Sequence, residues 1–512
     1  MISRGLSERW SRGTGGDDER GLAHGVVGPA RVIAFGASNV APAGAVVGGL
    51  VIVVSYAGFA SPLVVLIAFA ASMCCASSIG QFARRLPSAG SLYTYSSRGL
   101  GRTGGFLTGW MMVFAYVLYV PAGIALTSAY TSQLLAGTLH VAVSASVLFV
   151  IIVGAVAIVA YLGIRTSSSA DLVLVVGEVA VIAALAITIL VSLAPADYSA
   201  AVLSPTSSPN GQLTDITNAM IYGITAFAGF EASAALGEEA RNTRRSIPAS
   251  MIGVVIVTGV FYLLVVLAEM FGLGRKGIPG FTQQGNPLGY LTGRYWSPSA
   301  VWAIELVVVL AGLGFVIATF NVAIRVMFAM GRERVLPETL ARLSRRRTPI
   351  ISIACVAAFA LLLGLPLTYG YGGVRTFGYI AGAGGLSVVL VYLAVNVAVI
   401  RAFRTEFRDE FGLWRHLLVP ATAIVLFLFP LWGILHPRVR QLADLLHFTA
   451  LGWLCLGVIV AVILQARRPS SFEKLGRIFM PADGRPEYAL ESAGDLAAGH
   501  RGRAGSGMPD GD

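Results

Sequence analysis

Between about residue 30 and residue 466 the chain alternates long apolar runs with short polar segments, most of them carrying arginine. Crossing the roughly 30 Å hydrocarbon core of a bilayer takes about 17–25 mostly apolar helical residues. Runs of that kind fall at 32–52, 62–82, 106–134, 143–163, 172–193, 219–236, 251–273, 300–330, 350–367, 376–400, 417–435 and 445–464. The pattern predicts an all-α polytopic membrane protein with about 12 transmembrane helices. The flanks differ: 1–28 is polar, Gly-rich and basic, and 467–512 turns abruptly polar. Neither can bury enough apolar surface to offset its ordering entropy, so two disordered tails are expected. The opening segment lacks an apolar stretch followed by a small-residue cleavage site, and no secretory signal is expected. In the second tail, Phe472, Leu475, Ile478 and Phe479 beside Lys474 and Arg477 fit either a surface-lying helix or stray apolar residues.

Two runs are interrupted where a membrane helix tolerates interruption least. The sixth carries Ala226-Phe227-Ala228-Gly229-Phe230-Glu231, and the first carries Gly36-Ala37-Ser38-Asn39-Val40-Ala41-Pro42-Ala43-Gly44. A charged acid at a bilayer centre costs about 2.5–3.5 kcal/mol, whereas each Leu or Ile returns about 0.3–0.6 kcal/mol. Backbone groups freed by a break must be satisfied by protein, ions or solute, since lipid offers no partner. With four spans between them, the two breaks run in opposite directions, as in transporters built from inverted repeats. In that reading N–H groups near Ala43 and Gly229 receive a carboxylate, while carbonyls near Ala37, Ser38, Thr225 and Ala226 accept from an ammonium. Taken singly, each break also fits a kink re-satisfied by neighbouring helices.

Composition agrees with the pattern: 56% of the 512 residues are hydrophobic, 12% are charged, and mean hydropathy is +0.75. The net charge of +11 does not mark a nucleic-acid surface, because the basic residues sort by loop. One set of loops holds Arg84, Arg85, Arg98, Arg102, Arg165, Arg241, Arg244, Arg245, the group from Arg332 to Arg347 and the group from Arg401 to Arg415, together with both tails. The other set holds only Arg275, Lys276, Arg294, Arg375, Arg438 and Arg440. The positive-inside rule therefore puts both termini in the cytoplasm and the chain in the cell membrane. Cys74, Cys75, Cys355 and Cys455 lie in apolar spans without metal-ligand spacing, so buried free thiols are expected and no metal or cofactor. There is no phosphate-binding Gly-x-x-x-x-Gly-Lys-Ser/Thr loop, which argues against a nucleotide-driven pump. His24, His140, His416, His436, His447 and His500 are scattered, so an intramembrane enzyme has no evident catalytic cluster.

Several stretches then match one family. Phe82-Ala83-Arg84-Arg85-Leu86-Pro87-Ser88-Ala89-Gly90-Ser91-Leu92-Tyr93-Thr94-Tyr95 resembles the loop signature of the amino acid–polyamine–organocation superfamily of permeases. Gly229-Phe230-Glu231 with Glu238-Glu239-Ala240-Arg241-Asn242 and Ile247-Pro248 resembles its sixth-span motif, and Arg325 with the run from Gly331 to Pro337 and with Thr348-Pro349 resembles its eighth-span exit. The resemblance covers about 32–466. It implies a five-plus-five inverted-repeat, LeuT-like core with helices 1 and 6 broken: repeat one over 29–194, repeat two over 195–403, and two further helices over 404–466. It also implies alternating access for an amino acid or related amine, often proton-driven. The first break, Ser38-Asn39-Val40-Ala41-Pro42, departs from the Gly-Ser-Gly type, which leaves a nucleobase or quaternary amine open as substrate. No lysine lies in a span; Glu178 stands about where some relatives place one.

The candidate substrate-binding residues are accordingly Ala37, Ser38, Asn39, Ala43, Gly44, Thr225, Ala226, Phe227 and Gly229, with Glu178 and Glu231 as candidate proton-coupling or gating acids. The competing account for the acids is a neutral interhelical hydrogen bond worth about 0.6 kcal/mol. Phe227 fits a ring closing over substrate or simple packing. Tyr116 and Tyr119 fit a path lining and Thr319 a hydroxyl for a sodium-type site, though packing or an interfacial anchor accounts for the tyrosines and bonding to its own helix for the threonine. Gly44/Gly48, Gly105/Gly109 and Gly378/Gly382 read as close-packing faces, and Arg325 and Glu238/Glu239 as parts of an inner gate or solvated groups. Oligomeric state is left open.

Overall fold

A computed structural model of the chain describes residues 29–86, 91–163, 168–236, 243–283, 287–332, 336–346, 348–436 and 442–467. The two tails, Arg165, the loop holding Pro87 to Gly90, the acidic and basic loop Glu238, Glu239 and Arg241, and Glu333 to Val335 lie outside these residues.

The described chain is helical, with no strand. Its elements are α1 (Pro29–Val40), α2 (Pro42–Ala45), α3 (Val51–Ala57), α4 (Ser61–Arg85), α5 (Ser91–Thr138), α6 (Ala145–Leu162), α7 (Ser168–Ser192), α8 (Leu213–Thr225), α9 (Thr243–Gln283), α10 (Pro287–Tyr295), α11 (Val301–Arg332), α12 (Ile350–Tyr371), α13 (Gly373–Thr405), α14 (Val419–Leu435) and α15 (Leu442–Arg467). Local sequence sets several ends. Pro62 occupies the first turn of α4, where its missing N–H is no loss. Ser144 caps α6 through the Val147 N–H at 3.4 Å. α9 bends at Gly274, whose φ of 62° separates the spanning part from a short outer arm.

Ten stretches among the described residues are long and apolar enough to cross a membrane. The difference from the expected twelve arises at two places. Expected spans 32–52 and 62–82 run together as Gly36–Arg85, joined by a tight turn at Gly58–Ala60. The expected span 219–236 is split between α8 and the 3₁₀ turn Phe230–Leu236, neither of which reaches bridging length.

α13 is buried along nearly its whole length and packs on α5, and α4 packs on α9. A satellite core of Val120, Ile124, Phe149, Ile152, Val316, Phe320, Ile353 and Val356 fills the space among α5, α6, α11 and α12. The outward faces of α6, α7, α12 and α15 expose Ile151, Val173, Val191, Leu362 and Val462, an apolar rim suited to lipid. The chain is a multi-pass membrane protein.

Three of the sequence expectations resolve here. Only Cys75 among the four thiols is fully buried, where Asn396 donates to its sulfur at 3.3 Å; Cys74 is half-buried, and Cys355 and Cys455 are exposed on the outward faces of α12 and α15. Gly48, Gly378 and Gly382 are close-approach points, against Phe377 and Leu126, Ile52, and His447 with Tyr222 respectively. Arg325 is exposed on α11. At the rim where α4 ends and α5 begins, Arg85 pairs with Glu410 and Arg98 with Glu406.

Candidate substrate site

The two interrupted segments meet. Ala41 adopts a left-handed conformation (φ 48°, ψ 65°), and Pro42 behind it starts a new helical run without an N–H of its own. That run passes through a π-turn at Val46–Leu50, the wider winding often found at functional sites. In the other segment α8 ends at Thr225, the Phe227 and Ala228 N–H groups bond back to the Ile224 and Thr225 carbonyls at 3.0 Å, and Gly229 turns the chain with φ 109°. Only glycine fits there: a Cβ would stand 2.6 Å from the Asn39 carbonyl oxygen and 3.1 Å from the Val40 nitrogen. The backbone of one break therefore rests directly on the backbone of the other.

Further contacts give the relative direction. Gly36 faces Ser233, Asn39 faces Gly229, and Gly49 faces Tyr222 and Ala226. Numbers rise along one segment as they fall along the other, so the two segments lie antiparallel.

Beside the crossing is a cavity with about 1080 Å³ of space free of protein atoms, part of it open to solvent. Its walls come from α1, α2, the π-turn at Val46–Leu50, α5, α8, the Ala226–Glu231 segment, α11 and α13. They are mostly apolar, with Val47, Leu126, Val308, Phe315, Phe377 and Val388 among them. Asn39, Thr127, Thr225 and Thr319 supply polar groups, as do Tyr116, Tyr119, Tyr130 and Tyr222. Glu231 is the one acidic residue in the lining among the described residues, and no basic side chain joins it.

Glu231 is tightly held. Its Oε2 accepts the Gly229 N–H at 3.0 Å and the Tyr392 hydroxyl at 2.8 Å. Asn396, one turn further along α13, donates to both the Tyr392 carbonyl and the Cys75 sulfur, so a polar line leads from the break into the packing of α4 and α13. The Ala226 carbonyl, freed at the end of α8, accepts the Tyr262 hydroxyl at 2.8 Å. The buried Tyr119 hydroxyl lies beside Thr225, whose own hydroxyl donates to the Ile221 carbonyl at 2.6 Å.

Of the residues singled out from sequence, Asn39, Gly44, Thr225, Ala226, Gly229 and Glu231 line the cavity, as do Tyr116, Tyr119 and Thr319. Ala37 and Ser38 lie on α1 beside it and Ala43 is buried behind it, outside the lining. Phe227 is also outside: its ring stacks on Phe69 at 6.0 Å and meets Tyr262 edge-on at 5.1 Å. Glu178 is buried on α7 and is not a lining residue. Sequence reasoning passed over Tyr130, Tyr222, Phe377 and Tyr392, whose aromatic side chains carry no mark distinguishing a wall from a core. It also passed over the buried acids Glu269 and Glu305, which stood in plain view inside apolar runs.

A multi-pass helical protein with two touching helix breaks beside a cavity is the architecture of a permease for a small molecule, and comparison with known proteins agrees. The amino acid permease family profile matches residues 31–436, and the chain belongs to that family, within the amino acid–polyamine–organocation superfamily. It is similar to the branched-chain amino acid permease BcaP of Bacillus subtilis, at 25% identity over 80% of this chain and 86% of the relative. It is also similar to the methylthioribose transporter of Bacillus subtilis, at 26% over 81% and 88%, and to the low-affinity putrescine importer PlaP of Escherichia coli, at 26% over 56% and 62%. The protein is thus a transporter and not an enzyme.

Proposed function

We propose that the chain is a proton-coupled secondary permease for an amino acid with an apolar side chain or a related amine, working by alternating access in the cell membrane. The observation that carries this reading is the backbone contact of Gly229 with Asn39 at the wall of a largely apolar cavity. An antiparallel pair of broken segments suits a five-plus-five inverted repeat over 29–194 and 195–403, with 404–466 completing twelve spans. Peptide groups at the breaks would hold the zwitterion's carboxylate and ammonium, with Asn39, Gly44, Thr225, Ala226 and Gly229 nearest. The apolar walls would take its side chain. Glu231 is the coupling group in this account: its carboxyl bridges the sixth-span break and α13, so a proton arriving or leaving there alters the tie between two elements that face the cavity. The positive-inside rule supports placing the Arg85 and Arg98 rim, and both termini, in the cytoplasm.

The similarity to a branched-chain amino acid permease favours the amino acid over a nucleobase or quaternary amine. The test is uptake by proteoliposomes of labelled leucine, putrescine and uracil under an imposed proton or sodium gradient. Proton-stimulated uptake of leucine is expected. Absence of gradient-stimulated uptake for all three would overturn the proposal.

A further inference from the structure

At the rim where α4 ends and α5 begins, the connection from α13 to α14 has its glutamates tied and its arginines free. Glu410 is taken by Arg85, and Glu406 by Arg98, whose Nε donates to it at 2.8 Å. Arg401, Arg404, Arg408 and Arg415 are exposed on the same stretch, and none has an acidic partner among the described residues. Asp409 is the one further acid there, so the stretch shows the surface four guanidiniums against a single uncommitted carboxylate.

Packing folds this stretch into one turn. Phe403 and Arg404, consecutive near the end of α13, each hold a residue of the returning chain: the His416 ring stacks on Phe403 with centroids 3.9 Å apart, and the Arg404 guanidinium lies 6.0 Å over the Phe411 ring. His416 Nδ1 accepts the Gly412 N–H at 2.9 Å and closes the turn. With His416 buried at the centre, the wide winding of the π-turn Trp414–Leu418 leaves its neighbours outside: Leu413 is 60% exposed and Trp414 70%. Leu418, Val425 and Leu428 continue an exposed apolar stripe along α14 towards the middle of the bilayer. Whatever covers this face must therefore carry negative charge at one end and hydrocarbon at the other.

We propose that this turn is a binding site for an anionic phospholipid of the surrounding leaflet. Arg404, Arg408 and Arg415 hold the headgroup phosphate, for which the guanidinium fork is the best-matched side-chain donor. Trp414 lies at headgroup level, where an indole at the end of a span is at home, and the stripe beginning at Leu418 receives an acyl chain. Bound there, the lipid braces the connection that carries Glu406 and Glu410, and so steadies the ties of that connection to α5 and α4. The site goes beyond the permease reading and depends on neither its substrate nor its coupling.

The test uses the full-length protein in detergent, with no substrate and no gradient. Phosphatidylglycerol with brominated acyl chains should quench tryptophan fluorescence more than brominated phosphatidylcholine at the same mole fraction, and the difference should disappear in Trp414→Phe. In thermal unfolding, the phosphatidylglycerol concentration giving half-maximal stabilisation should rise about tenfold or more in Arg404→Gln/Arg408→Gln/Arg415→Gln. Arg342→Gln/Arg345→Gln/Arg346→Gln, which removes the same charge from another loop, should leave that concentration unchanged. Equal quenching by the two lipids, an equal shift in the control variant, or equal stabilisation by inorganic phosphate overturns the assignment. Should the triple variant fail to fold, the quenching comparison between the unaltered protein and Trp414→Phe decides alone.

Discussion

The phenol of Tyr392 donates to Glu231 Oε2 at 2.8 Å, tying α13 to the sixth-span break across 161 positions of sequence. The same oxygen takes the Gly229 N–H, so one carboxylate oxygen joins a break, a neighbouring helix and the cavity wall. The ring of Tyr392 lies 5.6 Å from those of Phe230 and Phe427. Tyr392→Phe therefore retains the packing and removes one donor. Thermal unfolding should show a loss of about 1 kcal/mol, and proteoliposome assays should show gradient-driven accumulation falling more than substrate exchange at equal pH.

Gly229→Ala places a methyl group 2.6 Å from the Asn39 carbonyl, at a φ of 109° that a side chain strongly disfavours. The strain is about 1–3 kcal/mol, and relief requires the breaks to part. Uptake should be lost in protein that still reaches the membrane. Gly280→Ala, where nothing lies within 4 Å, should leave uptake unchanged in the same assay.

Ala41 presents the opposite case, a residue with a Cβ held at φ 48°. A left-handed conformation costs a non-glycine residue about 1–2 kcal/mol. Ala41→Gly should raise the thermal midpoint, provided that the strain outweighs the added freedom of glycine in the unfolded chain. A fall in the midpoint would show that the added freedom of glycine in the unfolded chain outweighs the relieved strain.

Trp110 on α5 and Trp453 on α15 clasp each other. Each indole N–H donates to the other's carbonyl, at 2.9 and 3.0 Å, and the rings stack with centroids 4.5 Å apart. Trp453→Phe keeps an aromatic ring and loses one donor and part of the stack. A destabilisation of about 1–2 kcal/mol is expected by thermal unfolding, with transport retained because neither residue lines the cavity.

Both helix breaks were legible because residues that harm a membrane helix, Pro42, Gly229 and Glu231, stood inside apolar runs. Their mutual contact was not legible, since a backbone approach between Asn39 and Gly229 depends on how distant helices pack. The expectation of twelve spans met ten continuous stretches because the helical chain runs on through a tight turn at Gly58, where the hydropathy pattern gives two spans, and because hydropathy sums across an unwound segment at Ala226 that splits the sixth. Phe227 stood in the break yet packs against Phe69, while Tyr392, which looked like ordinary packing, reaches the acid. An aromatic residue in an apolar run reads the same way whether it packs, as Phe227 does, or bonds an acid, as Tyr392 does. Glu269 is a different omission: an acid within Val265-Val266-Leu267-Ala268-Glu269-Met270 is as conspicuous as Glu231 and only lacked a neighbouring break to draw notice.

The central claim is that Glu231 couples the proton to the substrate, and Glu231→Gln reconstituted into proteoliposomes tests it most directly. Glutamine keeps the size and an oxygen for Tyr392 and Gly229 but cannot exchange a proton. The account predicts that substrate exchange across the membrane persists while accumulation driven by a pH gradient disappears. Full pH-driven accumulation in the variant would contradict it and remove Glu231 from the coupling mechanism.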